Sequence, residues 1–515
     1  MINKENVVGT VISDEISPSF EIFRFKAKYD KYVTPGSLLA TSISKDVFLV
    51  GRVTSSHEYN PHEEPSKVTV RDTMDLSPDY PREDLSLTIH RRYEVEIISE
   101  VKKIGEQRFE VYPPEKMPKS GSEVFVPPHK VIMDIMGLET DPEKSLNLGI
   151  VAVTLAGEEN VPARIKRNVI QRHVFIGGTT GGGKSYGAKV LAEEIHKQGI
   201  PIIFFDTQYE FVPLTEALGG KVLRPGDNYR TKLSSLSEAE LLDLIPTLIH
   251  ELHVAILTRA FLRLKDRSSP PVTTLERFSP IGTQRRGFNL QDLLTEIQTV
   301  ATEMTAGQHT IDIIMDRTRH YLSSYDFIGE EFDWSNTLTP SSVIDINCKG
   351  FGRQSLQLVL ASTLRELNEL RKTGKINPFV FFIDEAHLFA PQDEESPCKQ
   401  IIRESVRMGR HYGICTVLIT QSPIDIDKKS IRQCNTRLLF AIEPDQLQAI
   451  QGVKSDATQE MMDRLPKAPV GTCILTGTYE TIKHAIPLRI RLMEHPEADA
   501  GQAPDIFSEI GKKNE

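Results

Sequence analysis

The sequence predicts an α/β protein with a small N-terminal β-barrel and a helical insertion inside the α/β core. Three observations predict this fold. Short segments rich in β-branched and aromatic residues fill the chain up to about residue 135. Strand-like and helix-like segments then alternate, which is typical of a largely parallel sheet. Between residues 233 and 335, apolar residues recur at helical spacing and interrupt that alternation.

The N-terminal barrel is assigned to residues 1–135. Gly, Pro, Asn and Asp separate its strand candidates, which are VVGTVIS, FEIFRFKA, SLLATSI, VFLVGRVTSS, YEVEIISEV and RFEVYPP. Even spacing of short strands favours a small closed barrel.

The α/β core is assigned to residues 136–232 and 336–493. Its strand candidates lie at 173–177, 201–206, 341–347, 379–385, 415–420 and 437–443. The insertion at 233–335 includes a polar stretch at 266–288, rich in Pro, Ser and Arg, that predicts a mobile loop. The polar tail at 494–515 is expected to be disordered, or to be an arm anchored on a neighbour by Ile506, Phe507 and Ile510.

Composition narrows the class of protein. The net charge of −10 over 515 residues lacks the basic signature of a chain that coats nucleic acid, although a ring can still confine basic residues to a channel. No apolar run is long enough to cross a membrane, and the N-terminus lacks the apolar segment of a signal peptide. The five cysteines include no CxxC pair and predict buried free thiols in a reducing cytosol, so we expect a cytoplasmic protein.

The segment FIGGTTGGGKSYG, from Phe175 to Gly187, carries the strongest motif. It follows an apolar strand, precedes a helical segment and matches G-x-x-x-x-G-K-[ST], whereas a plain glycine-rich turn would not need that context. Glycine lets backbone N–H groups wrap a polyphosphate, and the helix N-terminus favours negative charge. Lys184 is predicted to reach the β- and γ-phosphates, and Ser185 to bind Mg²⁺. The predicted nucleotide-binding residues are Gly178, Thr179, Thr180, Gly181, Gly182, Gly183, Lys184, Ser185 and Tyr186.

A second motif, PFVFFIDEAH, ends a buried strand in two acids. Such a strand end is where P-loop enzymes hold Mg²⁺, so Asp384 is predicted to be a metal ligand with Ser185. Glu385 is predicted to polarise the attacking water. The alternative is a pair of surface acids, but the phosphate-binding loop earlier in the chain argues against it. Gln421 ends the next strand and is predicted to sense the γ-phosphate.

Together these segments resemble the HerA family of hexameric DNA translocases, in the HerA/FtsK branch of RecA-like P-loop ATPases. The resemblance lies in RHVFIGGTTGGGKS, IIFFDTQYEF, FFIDEAHLFAP, RESVRMGRHYGICTVLITQSP and QCNTRLLFAIEPDQ. The segments VVGTVIS, PGS and FLVGRV also look like the small barrel that opens this family. The resemblance implies a RecA-like core, ATP hydrolysis with Mg²⁺, and a homo-hexameric ring.

The resemblance also implies roles for residues outside the two motifs. Asp206, at the end of the second core strand, matches a further acidic position of the site. The family usually continues with a His-Gly-Glu-Tyr-like run, whereas this chain has TQYEF, which leaves the roles of Gln208 and Glu210 open. Arg172 and Arg410 match two arginines that such rings direct at nucleotide. Arg172 precedes the strand whose far end carries the phosphate loop, so a neighbouring subunit's nucleotide is the easier target.

Further basic residues have two interpretations each. Arg403 and Arg407 share a helix face with Arg410. They are either part of a solvated basic stripe or functional groups. We interpret Arg410 as an arginine finger that acts in trans. The segments 427–437 and 349–354 are basic or glycine-bearing loops that either line a DNA pore or are ordinary surface loops.

The resemblance favours an ATP-driven motor that threads double-stranded DNA through its ring. Its relatives supply translocation to a partner nuclease, typically NurA in DNA end resection, or pair with effector enzymes such as nucleases or sirtuin-like NAD hydrolases in anti-phage defence. The alternative is an ATP-regulated scaffold that assembles and activates a partner effector without processive translocation. A third hypothesis, a DNA-pumping ATPase of the FtsK or conjugative-coupling type, conflicts with the predicted barrel and the lack of a predicted membrane segment.

Overall fold

The computed structural model describes residues 6–14, 17–28, 31–59, 90–105, 108–152, 161–268, 287–329 and 332–496. Contacts between residues divide the chain into two compact units. The first unit comprises Met1–Arg167, Thr436–Leu447 and Lys454–Arg491, and the second comprises Asn168–Asn435, Gln448–Val453 and Leu492–Glu515.

The first unit opens with an antiparallel barrel. Its strands are β1 (Val7–Ile12), β2 (Ile22–Ala27), β3 (Leu38–Ser44), β4 (Val47–Tyr59), β5 (His90–Lys103), β6 (Phe109–Tyr112) and β7 (Glu123–Phe125). They pair in the order β2-β1-β7-β3-β4-β5-β6, and β2 also pairs with β5, which closes the sheet on itself. Alternate side chains, such as those of Phe23 and Phe25, fill the interior. The predicted N-terminal barrel is therefore confirmed, although the sequence did not indicate β7.

Helix α1 (His129–Met136) and strands β8 (Ser145–Val151) and β9 (Pro162–Lys166) complete the N-terminal part of the first unit. Strands β8 and β9 pair antiparallel.

The second unit contains a parallel sheet. Its strands and flanking helices are β10 (Val174–Gly177), α2 (Lys184–Lys197), β11 (Ile202–Asp206), α3 (Val212–Ala217) and β12 (Lys221–Leu223). Strand β12 leads to a small parallel pair, β13 (Thr231–Lys232) and β14 (Ile328–Gly329), which flanks the insertion.

After the insertion the parallel sheet resumes with β15 (Val343–Asn347), then β16 (Phe379–Ile383) and β17 (Ile414–Thr420). Within this unit the strand order is β12-β15-β11-β16-β17-β10 and neighbouring strands are parallel. Every residue of β10, β11, β15, β16 and β17 is buried, as expected for a sheet with both faces covered. All their carboxyl ends therefore share one edge, and the predicted α/β class is confirmed.

The insertion is helical, as predicted. Its helices are α4 (Glu238–Asp243), α5 (Glu251–Ser268), α6 (Leu290–Glu303), α7 (Gln308–Ser323) and α8 (Trp334–Thr337). Arg267 on α5 donates to both carboxylate oxygens of Glu296 on α6, which ties these helices together. Helix α5 continues into the stretch predicted as a mobile loop, and residues 269–286 of that stretch lie outside the described residues.

Two long helices follow, α9 (Arg353–Lys372) and α10 (Pro397–Tyr412), which pack against each other, and α10 also packs on β17. The elements that follow β17 are short. They are α11 (Lys428–Gln433), β18 (Thr436–Leu439), α12 (Leu447–Ile450), α13 (Gln459–Arg464), β19 (Thr472–Gly477) and β20 (Ile486–Ile490). In the first unit β18, β19, β20 and β8 pair antiparallel in that order.

Two predictions are corrected here. The strand expected at 437–443 is short, antiparallel and part of the first unit by its contacts. Residues 427–437 are not simply a loop, because the Asp427 carboxylate accepts from the Ser430 N–H at 3.0 Å and caps helix α11. The tail from residue 497 lies outside the described residues.

All five cysteines are buried and none forms a disulfide, as the sequence predicted. Within the described residues, no helix has both the length and the apolar character needed to cross a bilayer.

Candidate active site

The glycine-rich loop connects β10 to α2 at the carboxyl edge of the parallel sheet. Gly181 and Gly183 have φ of 77° and 99°, a backbone region that side chains with a Cβ rarely adopt. Lys184 begins α2, and its Nζ donates to the Thr179 carbonyl oxygen at 2.8 Å. Burial lowers the pKa of Lys184, while the carboxylates of Glu385 and Glu210 oppose that shift.

The acids that follow β16 lie in the same part of the unit. Asp384 is buried, and its Oδ2 accepts from the Thr207 hydroxyl at 2.9 Å. Burial raises the pKa of Asp384 well above its ordinary value, and the charges of Glu385 and Glu210 add to that effect. A cation next to Asp384 would offset both causes.

The donor set fits Mg²⁺ bound together with phosphate. The Oε2 atoms of Glu210 and Glu385 are buried and have no hydrogen-bond partner among the described residues. In the described ranges no three His, Cys, Asp or Glu side chains form a metal-binding group by themselves. A divalent cation would therefore rely on Ser185, on Asp384 and on phosphate oxygens, as in other P-loop sites.

Glu385 has an unusual backbone conformation for a residue with a side chain, with φ of 48°. Its Oε1 accepts from Gln208 Nε2 at 3.2 Å, and its Oε2 lies 3.3 Å from His387 Nδ1. Burial raises the pKa of Glu385, and the Lys184 ammonium partly opposes this shift. Burial also lowers the pKa of His387, so this imidazole is neutral near pH 7.

Gln421 approaches the glycine-rich loop directly. Strand β17 lies between β10 and β16, and Gln421 follows its last residue. The Thr180 hydroxyl donates to Gln421 Oε1 at 2.6 Å, so the structure brings the predicted γ-phosphate sensor to the loop. The neighbouring Thr420 Oγ1 lies 3.0 Å from His387 Nδ1, which links the end of β17 to the acidic segment.

Asp206 supports the loop that follows β11. Its two oxygens accept from the backbone N–H groups of Gln208 at 2.9 Å and Phe211 at 2.8 Å, and its side chain is buried. This loop delivers Thr207 to Asp384 and Gln208 to Glu385. The sequence left the role of Gln208 open and did not indicate Thr207, because neither spacing nor residue type shows which strand lies beside β11.

Tyr186 has a different position from the one the sequence predicts. Its hydroxyl accepts from the Met493 N–H at 2.7 Å. The next residues hold the same helix, since Glu193 Oε1 accepts from the Glu494 N–H at 2.9 Å. The Tyr186 side chain thus fastens the chain after β20 to α2, and only its backbone belongs to the start of the helix that follows the glycine-rich loop.

Arg172 and Arg410 lie at the opposite, amino edge of the parallel sheet. Arg172 ends the 3₁₀ helix Arg167–Arg172 just before β10, and Arg410 occupies the last turn of α10 just before β17. The exposed Arg410 lines a cavity of about 430 Å³ at this edge. The structure therefore does not bring either arginine to the glycine-rich loop of its own chain.

His173 directly follows Arg172 and precedes β10. It has a φ of 59° and accepts at Nδ1 from the Thr416 N–H at 3.0 Å. Burial, with a further contribution from Arg410, lowers the pKa of His173 to about 4. The imidazole is therefore a neutral structural support at the amino edge, which the sequence did not indicate.

Arg403 and Arg407 have different surroundings in the structure. Arg403 donates to both carboxylate oxygens of Asp427 at 2.9 and 2.8 Å, so it fastens α10 to α11 and is not part of a solvated stripe. Arg407 is exposed.

Two family models and several curated proteins match the chain. The family described as "Helicase HerA, central domain" matches residues 150–367, and "Helicase HerA-like C-terminal" matches residues 352–471. The DNA double-strand break repair helicase HerA of Sulfolobus acidocaldarius is 22% identical over 390 residues, covering 73% of this chain and 76% of its own length. The protein of the same name from Pyrococcus furiosus is 22% identical over 467 residues, covering 81% of each chain.

A solved structure supports the fold. VirB4 of Thermoanaerobacter pseudethanolicus matches with a TM-score of 0.51 and 17% sequence identity, covering 70% of this chain and 99% of its own. At this identity the match concerns the arrangement of strands and helices only.

Proposed function

The chain belongs to the HerA helicase family, and we propose that it is an ATP-hydrolysing motor that moves double-stranded DNA through a homo-hexameric ring. The observation that carries this proposal is the convergence at one sheet edge of Lys184, Ser185, Asp384, Glu385 and Gln421. These are the groups that phosphoryl transfer to water requires: a phosphate cradle, a metal site, a base and a γ-phosphate contact.

The glycine-rich loop binds the ATP phosphates in this proposal. Its backbone N–H groups and the positive end of α2 favour polyphosphate, and Lys184 balances the charge of the β- and γ-phosphates. Ser185 and Asp384 would hold Mg²⁺, which would neutralise phosphate charge during transfer. Burial lowers the pKa of Lys184, and negative phosphate charge beside the ammonium would raise this pKa again.

Glu385 is the general base of the proposed reaction. It accepts a proton from the water that attacks the γ-phosphorus, and a raised pKa makes its carboxylate a better acceptor near neutral pH. Gln208 holds one of its oxygens, so this loop sets where the carboxylate lies. Gln421 contacts the γ-phosphate, so loss of this phosphate on hydrolysis would change the contacts at the end of β17.

The arginines at the amino edge explain why the motor would be a ring. Arg172 and Arg410 lie at the sheet edge opposite the glycine-rich loop of their own subunit. If one subunit's amino edge faces the next subunit's carboxyl edge, both reach a neighbour's ATP as trans-acting fingers. Repeated around a closed ring, this contact gives the hexamer we propose.

Contacts with DNA are proposed on α11, where Lys428, Lys429 and Arg432 are exposed. A net charge of −10 suits a ring with an acidic exterior for a partner protein and basic residues inside. That partner is a NurA-like nuclease in DNA end processing, or a defence effector in anti-phage defence.

The test is the ATPase rate with and without linear duplex DNA at low salt. We expect duplex to raise the rate, and the stimulation to fall steeply with salt because phosphate contacts release counterions. Charge reversal at Lys428, Lys429 and Arg432 should reduce the stimulation more than reversal at Lys375, an exposed lysine just after α9. An unchanged rate with partner protein present, and no triplex displacement on ATP addition, would reject the motor and leave the ATP-regulated scaffold.

A further inference from the structure

A second cavity in the ATPase unit lies beside the catalytic loop. It has a volume of about 780 Å³, within the range of small-molecule sites in proteins. Three segments line it: the loop after β11 that contains Tyr209, the residues after β12 that contain Arg224, and the segment after β15 that contains Lys349. Residues 324–327, which follow helix α7, close a further side.

Two cations face this cavity without a carboxylate partner in the described part of the chain. Arg224 is exposed, and its guanidinium has no hydrogen bond or ion pair with any described residue. Lys349 is also exposed, and its Nζ lies 5.4 Å from the centre of the Tyr209 ring. Asp227 and Asp326 line the cavity too, but neither forms an ion pair with these cations. Unpaired Arg and Lys in one cavity favour an anionic ligand such as phosphate.

Aromatic residues form a wall of the same cavity. Tyr325 and Phe351 each pack edge-on against Phe327, with ring centroids 5.5 and 6.0 Å apart, and both are half-buried. Tyr209 is half-buried as well. Aromatic rings next to cations are the groups that stack on nucleobases while phosphate is neutralised. Carboxylates such as Asp227 can accept hydrogen bonds from exocyclic amines of bases.

Contacts with neighbouring residues define two walls of the cavity. Asn347, which is 8% exposed, accepts at Oδ1 from the Lys349 N–H at 3.0 Å and fixes the start of the loop after β15. Tyr209 is held at a φ of 71° directly after Gln208, whose side chain contacts Glu385. A ligand against Tyr209 would therefore lie one residue from a group that positions the catalytic base.

We propose that this cavity binds one nucleotide unit, with its phosphate on Arg224 and Lys349 and its base against Tyr209, Tyr325 or Phe351. That unit belongs either to an unpaired DNA strand or to a free nucleotide. A DNA strand as the source of the nucleotide rests on the proposed function, whereas nucleotide binding in the cavity does not depend on it. Occupancy would act on ATP hydrolysis through the adjoining Gln208.

Binding experiments separate the two sources. The first probe is a fluorescein-labelled oligothymidine, measured by anisotropy on the full chain saturated with ADP and Mg²⁺. We expect Arg224→Glu and Tyr209→Ala each to weaken binding by at least about tenfold, because each removes a phosphate or stacking contact. Tyr209→Phe keeps the ring and should retain binding. Lys375→Glu, an exposed charge reversal outside the cavity, is the matched control.

The second probe is a fluorescent ADP on the Lys184→Ala protein, whose glycine-rich loop no longer binds nucleotide. If this protein binds the fluorescent ADP and the further change Arg224→Glu abolishes that binding, a free nucleotide is supported as the ligand. If duplex stimulates the ATPase but neither probe responds to Arg224→Glu beyond the control, the cavity proposal is wrong and the motor remains. If the wild-type chain binds no DNA at all, the motor hypothesis is rejected. The experiment with fluorescent ADP then tests by itself whether the cavity binds a nucleotide.

Discussion

Glu385, the proposed general base, has an unusual backbone conformation and close polar neighbours. Its backbone lies in the left-handed region, and a donor from Gln208 and a neutral His387 lie near its two oxygens. A non-glycine residue in this region costs about 1–3 kcal/mol, which the surrounding structure must offset. Burial raises its pKa, so the carboxylate takes up a proton more readily than an exposed glutamate would.

Glu385→Gln should therefore retain ATP binding and lose turnover by about 10²–10⁴-fold, because glutamine keeps the shape but cannot accept the proton. The acid limb of kcat/KM should lie above the ordinary pKa of glutamate, since protonation of the raised carboxyl inactivates the base as pH falls. Fluorescent-nucleotide binding and steady-state ATPase rates against pH measure both effects. Glu404→Gln, an exposed change on α10, is the control. A wild-type rate in Glu385→Gln would remove Glu385 from the mechanism.

At the scale of elements, the junction of α10 and α11 depends on one buried acid. Asp427 caps α11 through Ser430 and accepts two hydrogen bonds from Arg403 on α10. Burial opposes ionisation, but the hydrogen bonds from Arg403 and Ser430 outweigh it and lower the pKa of Asp427 to about 2. This pair holds the helix that carries the proposed DNA contacts.

Arg403→Ala should lower stability by about 1 kcal/mol, a value reduced because the Arg403 side chain is 34% exposed. The folded pKa of Asp427 is below the unfolded value of about 3.9, so this stability is fully present above about pH 4. It is lost as pH falls toward 2. Thermal unfolding of wild type and variant across that range measures the difference. Arg407→Ala, an exposed change on the same helix, should have a much smaller effect. Equal losses in both variants would contradict the assignment.

At the scale of the whole molecule, the two edges of the parallel sheet carry different groups. The carboxyl edge carries the glycine-rich loop and the acids, and the amino edge carries Arg172 and Arg410. A monomer would leave these arginines away from its own ATP. The proposed closed ring would place complementary edges together at every interface, which would suit sequential hydrolysis around the ring.

This arrangement predicts complementation between two inactive variants. Arg410→Ala subunits keep a complete ATP site, and Glu385→Gln subunits keep the finger. Each should be inactive alone, and mixed rings should recover part of the ATPase activity at interfaces where the intact groups meet. Mixing Arg410→Ala with the double variant Arg410→Ala/Glu385→Gln is the control and should recover nothing. If well-mixed rings stay inactive while the control behaves as expected, Arg410 does not act in trans.

The sequence by itself determined the features that depend on neighbouring residues. The spacing of Gly178, Gly183, Lys184 and Ser185 specifies the phosphate loop because the loop and helix start are local structures. The sequence also indicates the buried strands of an α/β pattern, since their side chains are apolar throughout. The barrel strands followed from runs of β-branched and aromatic residues separated by turn residues, and the helical insertion followed from periodicity. Glu123–Phe125 is too short to show such a run.

Only the tertiary structure decided contacts between distant parts of the chain. Gln208 and Glu385 are 177 positions apart and meet because β11 lies beside β16, an order that no local pattern encodes. The same strand order brings Thr180 to Gln421 across 241 positions. Arg403 and Arg410 share one helix, yet the first pairs with Asp427 and the second lines a cavity at the sheet's amino edge, because different neighbours surround each turn. Side-chain roles follow from which elements pack together, and packing is a property of the folded chain.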